Sequence, residues 1–180
     1  MTGPGRTGAW EDGPWVRPGL VVGLAGETRT PTTASVGGVV TVGDRPRDRA
    51  RALRRVLGQP EFARACARML DGEWDEGLAR ALGGPASAVL EGPHRRDQRY
   101  WARVWAARGL LWEWDDVALG AVRTATHDDH WRVREMACRV VARHRLEGAL
   151  EDVASRRGDP VARVRAAAER AFVTFLSGDR

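Results

Sequence analysis

The chain has 180 residues and carries 29 arginines, with no lysine, isoleucine or asparagine, which indicates a G+C-rich genome and makes the arginine count partly a codon effect. Two cysteines are too few for a disulfide scaffold, and no apolar run approaches the roughly 18–20 residues of a membrane span. Membrane proteins, collagens, coiled-coil rods and zinc fingers are therefore excluded, and we expect a cytoplasmic protein without a membrane partner.

The net charge of +5 is concentrated in one short segment. Residues 46–55 hold five arginines and one aspartate, whereas residues 56–180 hold 20 arginines against 19 acidic residues. A nucleic-acid-binding domain usually carries its positive charge along one face of the folded domain. We therefore interpret residues 46–55 as the solvated start of an arginine-rich helix, and nucleic-acid binding is disfavoured.

Residues 1–45 differ in composition from the rest of the chain. They contain 10 of the 21 glycines and four of the nine prolines, with few large apolar groups to offset the entropy lost on ordering. We predict a disordered N-terminal tail. A second hypothesis is a non-native extension, because Val39, Val40 and Val42 can each be encoded by GTG, a start codon in G+C-rich genes. The intact mass of the native protein distinguishes the two.

From residue 46 onward, apolar residues recur with helical spacing. Glycine and proline breakers separate the helical segments, for example at residues 58–60, 83–85 and 158–160. Residues 46–177 are therefore predicted to form one all-α domain of short helices.

An internal repeat of 31 residues is the strongest pattern in this domain. It aligns three sets of polar residues, Asp97/Asp128/Asp159, Arg103/Arg134/Arg165 and Arg108/Arg139/Arg170, and a set of alanines, Ala106/Ala137/Ala168. Each unit is predicted to be an antiparallel helix pair, with helix A at about 98–111, 129–143 and 160–176 and helix B at about 115–125 and 146–157. Repeated helix pairs bury their faces by stacking into an α-solenoid.

The repeat resembles a known family. The run from Asp159-Pro160 to Val164-Arg165 and Ala168 resembles the Asp-Pro…Val-Arg…Ala signature of HEAT repeats, and the spacing is similar to the short variety named after phycocyanobilin lyases. The resemblance covers residues 97–176, and residues 60–83 loosely. It implies a short right-handed solenoid used for protein interaction, with structural bonds between neighbouring repeats made by Asp97, Asp128, Asp159, Arg103, Arg134 and Arg165.

No catalytic, cofactor or metal site is predicted. His127 and His130 flank two aspartates across a turn without further metal ligands nearby, so a loop is the preferred interpretation. Cys66 and Cys138 stand where related copies have small residues, which indicates buried side chains rather than nucleophiles. HEAT-like di-iron hydroxylases use His-Glu pairs, and this chain has no His-Glu dipeptide.

One enzyme class remains as the alternative. Residues 112–116, Trp-Glu-Trp-Asp-Asp, are similar in composition to the site of HEAT-like alkylpurine DNA glycosylases, which hold an alkylated base with Trp and Asp. The motif recurs as Glu-Trp-Asp-Glu at residues 73–76, which favours a structural role. We therefore predict a non-enzymatic scaffold that binds another protein, with a glycosylase or nucleic-acid-binding protein as the alternative.

The tryptophans indicate where such a partner binds. Trp101 and Trp112 align with polar residues in the other repeats and share a helical stripe with Arg108. Exposed Trp and Arg together are typical of a protein-binding hot spot, so these three residues are the candidate surface. The alternative is that both indoles pack beneath residues 84–96. The fallback surface is the helix B row of Arg80, Arg123 and Arg156.

The last predicted helix has no helix B after it. Phe172, Phe175 and Leu176 are therefore expected to lie at an edge, where solenoids normally need a polar cap. We predict weak self-association, or docking of another chain, through this C-terminal helix.

Overall fold

The computed structural model describes residues 45–91 and 96–177, and all regular structure in these two ranges is helical. The all-α prediction is confirmed for this part of the chain. The predicted tail lies outside it, apart from Arg45. The α-helices are α1 (Pro46–Leu57), α2 (Gln59–Leu70), α3 (Glu76–Gly83), α4 (Tyr100–Trp112), α5 (Leu119–Ala125), α6 (Trp131–His144), α7 (Leu150–Ser155) and α8 (Ala162–Leu176). Short 3-10 segments span Gly84–Leu90, Asp116–Ala118, Glu147–Ala149 and Arg156–Gly158.

The three predicted A helices correspond to α4, α6 and α8, and each begins two residues later than predicted. An aspartate side chain explains the later start of two of them. Asp128 Oδ1 accepts a hydrogen bond from the His130 amide at 2.7 Å, and Asp159 Oδ1 accepts one from the Val161 amide at 2.9 Å. These bonds close a local turn, so the helix begins only after it.

The predicted B helices are shorter and less regular than expected. Each consists of a 3-10 turn followed by a short α-helix, α5 or α7. At the first of them, Asp115 Oδ1 accepts a hydrogen bond from the Val117 amide at 3.1 Å, which holds the chain in a tight turn. Helix propensity and apolar periodicity do not distinguish a 3-10 turn from a turn of α-helix.

The core lies where the A helices meet each other and α2. Helix α6 packs against both α4 and α8, and α2 packs against α4. The repeated alanines Ala106, Ala137 and Ala168 are fully buried, as are Val133 and Val164. Such small side chains at equivalent positions let neighbouring helices approach closely. Among the described residues, no helix combines the length and apolar character that crossing a bilayer requires.

The predicted solvated start of an arginine-rich helix holds for most arginines of α1, which are exposed, but not for Arg49. Arg49 is only 7% exposed, and its guanidinium donates from Nε to the Leu82 carbonyl at 3.1 Å and from Nη2 to the Gly83 carbonyl at 3.4 Å. Arg54 Nε lies 2.8 Å from a carboxylate oxygen of Glu113. Arg49 therefore caps the last carbonyls of α3, and Arg54 pairs with Glu113. A count of charges along the sequence does not reveal these contacts.

Helix α8 ends with two exposed apolar side chains, Val173 at 47% and Leu176 at 69% exposure. The predicted edge position of the two phenylalanines is wrong. Phe175 is half-buried against the core, and the Arg157 guanidinium lies over the ring of the half-buried Phe172 at 4.5 Å from its centre.

We expect weak self-association through this pair, because exposed aliphatic side chains on one helix end gain from leaving water. Sedimentation velocity over a wide concentration range should show a rising sedimentation coefficient. The Leu176→Glu variant should stay monomeric throughout. A wild-type chain that is strictly monomeric would contradict this expectation.

Candidate functional site

Two of the recurring arginines bind an aspartate of the next unit. Arg103 donates from Nε and Nη2 to the two carboxylate oxygens of Asp128 at 2.7 and 3.2 Å. Arg134 makes the same two-point contact with Asp159 at 2.8 and 3.1 Å. These are bonds between neighbouring units, of the kind that the repeat resemblance implies. Two parallel charged hydrogen bonds fix the orientation of both partners.

The arginines also fasten the turn of their own unit. Arg134 Nη1 donates to the Asp128 carbonyl at 2.7 Å, and Arg165 Nη1 donates to the Asp159 carbonyl at 2.8 Å. Arg165 is exposed and has no carboxylate partner within the described residues. Asp97, at the other end of the series, is exposed in the turn before α4.

The shared aspartate is held in its charged form. Burial alone would raise the pKa of the Asp159 carboxyl, but hydrogen bonds from Arg134 and from the Val161 amide outweigh it. The positive charges of Arg134 and Arg156 add to this effect, so the pKa lies below its ordinary value of 3.8. Asp159 therefore stabilises the fold above that pH and loses this contribution as the pH falls through its lowered pKa.

The pKa values of two histidines, in α6 and in its preceding turn, are lowered as well. Burial lowers the pKa of His144, whose Nε2 lies 3.0 Å from the Leu110 carbonyl and 3.1 Å from that of Leu111. Burial and the charge of Arg132 lower the pKa of His130, whose ring stacks on Tyr100 with centres 3.4 Å apart. Their neutral forms are therefore favoured by folding.

The lowered pKa values of His130 and His144 make stability depend on pH just below neutrality. Both histidines bind a proton more weakly in the folded chain, so their contribution is complete above the ordinary pKa of 6.5 and is lost as the pH falls below it. We expect the melting temperature to decline from about pH 6.5 downward. The His130→Gln/His144→Gln variant should show a flatter profile there. An equal decline in both chains would contradict the assignment.

Residues 31 apart in the sequence lie side by side on the three A helices. Arg132 lies over the Trp101 ring at 5.2 Å from its centre, and Arg143 lies over the Trp112 ring at 4.6 Å. Arg108, Arg139 and Arg170 follow the same register, since each is close enough to the next to affect its charge state. We call the resulting surface the arginine face and define it by Arg108, Arg132, Arg139, Arg143, Arg163 and Arg170.

The arginine face has few carboxylates of its own. Helices α4, α6 and α8 together contain two acidic residues, Glu135 and Glu169. Glu169 is bound by Arg157 at 2.6 Å, and Glu135 lies 3.9 Å from Arg139. The charges of residues 56–180 are nearly balanced, yet the folding of the chain gathers arginines on this side of the A helices.

Arg108 has a buried donor on the arginine face. It is half-buried, and its buried Nε has no hydrogen-bond acceptor within the described residues. Burial lowers its pKa, and the neighbouring charges of Arg49 and Arg139 lower it further, while Glu135 acts against them. The indole Nε1 of Trp112, one helical turn away, is a second buried donor without an acceptor. Buried donors in native proteins are usually paired, so this pair needs an explanation.

The predicted exposure of Trp101, Arg108 and Trp112 is wrong, because all three are half-buried and both indoles pack against the core. The sequence prediction treated each helix separately. The 31-residue register already places an arginine of α6 opposite each indole, and in the structure that arginine lies over the ring. The segment 84–96 of the alternative lies partly outside the described residues, and the described contacts of both indoles include arginines of α6. Trp105 is the indole that touches Gly83, just before that segment.

The tryptophan-acid motif makes local contacts. Asp115 caps the following turn, as described above, and Trp114 Nε1 donates to Asp116 Oδ1 at 2.9 Å. The earlier copy does the same, since Asp75 Oδ1 accepts a hydrogen bond from the Leu78 amide at 2.9 Å. Both aspartates are thus engaged at helix starts.

The histidine-aspartate turn and the cysteines show no reactive geometry. His127 follows the end of α5, and its Nε2 lies 3.1 Å from Asp152 Oδ1, whereas His130 lies directly before α6. Within residues 45–91 and 96–177, no three His, Cys, Asp or Glu side chains are gathered as a metal site requires. Burial raises the pKa of both thiols, Cys66 and Cys138, so they are held as neutral apolar groups.

The helix B arginines differ from the arginine face because carboxylates already lie beside them. Arg80 binds Glu76 and Glu91, Arg123 binds Asp152 at 2.7 Å, and Arg156 lies 3.9 Å from Asp159. This row therefore offers less unpaired charge than the arginine face.

Comparison of the chain with protein-family models, with curated proteins and with solved structures gives no match.

Proposed function

We propose that this chain is a HEAT-like helical repeat scaffold, without catalytic activity, that binds a partner protein through the arginine face. The observation that carries the proposal is the unpaired Arg108 Nε beside the unpaired Trp112 Nε1. The buried Nε of Arg108 lacks an acceptor, and an unsatisfied buried donor costs about 1–3 kcal/mol, so a ligand group that accepts from it is favoured.

The repeat architecture supports the scaffold part of the proposal. Three A helices pack in sequence order, and the aspartate of each unit bonds the arginine of the unit before it. A stack of this kind makes an extended surface from equivalent positions on successive helices, which is how solenoids bind other proteins. The arginine face is such a surface.

The glycosylase alternative has less support. Its candidate aspartate, Asp115, is engaged in a helix cap, and Trp114 is stacked on His144 with ring centres 5.3 Å apart. A flipped base needs an aromatic surface to stack on and a free acid beside it. Incubation with alkylated duplex DNA should release no base. Base release would favour the alternative.

The test of the proposed function is capture from extracts of the native cell with the full chain as bait. Three baits are compared by quantitative mass spectrometry: the wild type, Arg163→Glu/Arg170→Glu, and the control Arg55→Glu/Arg68→Glu. All four arginines are exposed, and the two double variants change the net charge equally. A partner protein should be retained by the wild type and by the control and be lost from the variant of the arginine face.

Equal capture by all three baits would place binding elsewhere on the molecule. Absence of any protein that distinguishes the baits would also contradict the proposal. Circular dichroism melting of each bait checks that the substitutions leave the fold intact.

A further inference from the structure

We infer that the arginine face takes an acidic protein segment, with one Asp or Glu carboxylate seated against Arg108 Nε and Trp112 Nε1. This inference rests on the proposed function and specifies the chemistry of the partner. Three features identify the occupant: the positive charge of the arginine face, the two buried donors without acceptors, and the guanidinium groups that lie over the aromatic rings.

Charge complementarity gives the sign of the partner. Six arginines from three helices converge on the arginine face, and Glu135 is the acidic residue of these helices that lies against them. Two of the arginines, Arg163 and Arg170, are exposed to solvent, where they can attract a negatively charged partner from a distance. A negatively charged partner is steered to such a surface and gains from pairing there.

The two buried donors limit the size of the partner group that can bind them. Arg108 Nε and Trp112 Nε1 are buried one turn apart on α4, so only a group that enters between the side chains reaches them. A carboxylate on an Asp or Glu side chain is small and accepts from several donors at once. The same carboxylate would relieve the repulsion among Arg49, Arg108 and Arg139.

The aromatic rings argue against a nucleic acid as the occupant. Proteins that bind single strands present bare aromatic rings on which bases stack. Here Arg132 lies over Trp101 and, at 4.4 Å, over Trp131, and Arg143 lies over Trp112. Guanidinium groups thus already occupy the ring faces, and the central charge is recessed rather than raised toward a duplex backbone.

The probe is fluorescein-labelled poly-L-glutamate of about 12 residues, measured by fluorescence anisotropy with the full chain at low ionic strength, where surface charges are least screened. Single-stranded and duplex DNA of matched length are titrated in parallel. Poly-L-glutamate should bind more tightly than either DNA. Its affinity should fall about tenfold in Arg163→Glu/Arg170→Glu and stay within about twofold in Arg55→Glu/Arg68→Glu.

A second variant tests the seat itself. Arg108→Gln removes the recessed charge without introducing a bulky group, so it should lower the affinity for poly-L-glutamate about fivefold while the melting temperature stays equal or rises. Loss of affinity together with a large drop in melting temperature would assign Arg108 a structural role. An unchanged affinity for poly-L-glutamate would show that no carboxylate of the peptide binds at Arg108.

The two proposals fail in different ways. Tighter binding of DNA than of poly-L-glutamate, or no binding of poly-L-glutamate, overturns the acidic-segment inference. If a cellular protein is nevertheless lost from Arg163→Glu/Arg170→Glu, the proposed function stands with a partner of other chemistry. If no captured protein depends on the arginine face, the proposed function fails whatever the peptide does.

Discussion

Arg134→Ala is expected to lower the free energy of unfolding by about 3 kcal/mol. The Arg134 side chain is 11% exposed, and its partner Asp159 is fully buried. Removal of the guanidinium leaves a buried carboxylate with fewer hydrogen bonds and two backbone carbonyls without their donor. Breaking one side of a buried pair is more harmful than replacing both, because the remaining charge stays desolvated.

The matched control is Arg165→Ala. Arg165 occupies the same repeat position and binds the backbone of its own turn in the same way, but it has no carboxylate partner within the described residues. It should cost about 1 kcal/mol or less. Urea denaturation at neutral pH measures both variants. Equal losses would mean that the two-point contact with Asp159 contributes nothing beyond the turn.

Trp105→Ala is expected to cost about 3–5 kcal/mol, the range for removing a large aromatic from a core. Trp105 is 3% exposed and stacks on Trp101 with ring centres 6.2 Å apart. Its ring also lies against Gly83 at the end of α3, where an added Cβ would come within 2.8 Å of it. This side chain thus joins α4 to α3.

The control for this variant is Trp74→Ala, because Trp74 is 38% exposed on a loop between α2 and α3. Its loss should change stability by about 0.5 kcal/mol or less. Gly83→Ala is the complementary change and should cost about 1–3 kcal/mol through overpacking against Trp105. Thermal and urea denaturation measure all three variants. A mild effect of Trp105→Ala would show that the neighbouring helices close the space that it leaves.

The repeat register predicted much of the fold because its signal is local and occurs three times. Helical periodicity located α4, α6 and α8, and the aligned Asp and Arg positions correspond to the contacts of Arg103 and Arg134 in the folded chain. The later starts of α6 and α8 each depend on one hydrogen bond that an aspartate side chain accepts from a backbone amide, which residue spacing does not encode.

The candidate site was only partly predictable. Trp101, Arg108 and Trp112 do share one side of α4, but their exposure depends on the neighbouring helix, and the arginines of α6 cover both indoles. The near balance of charge over residues 56–180 predicts no basic surface. The folded chain nevertheless gathers arginines on one side, because the acidic residues lie mainly in turns and B helices, and only folding determines which charges become neighbours.

The carboxylate of Asp159 has two roles that cannot be separated. It holds the Arg134 side chain of the preceding unit, and it also accepts the amide hydrogen bond that starts the following one. Asp128 does the same for Arg103 and His130. A unit that begins to open therefore breaks its link to its neighbour and the first turn of its own helix in a single event. Partial unfolding of one unit is correspondingly disfavoured, so we expect α4, α6 and α8 to gain or lose their order together.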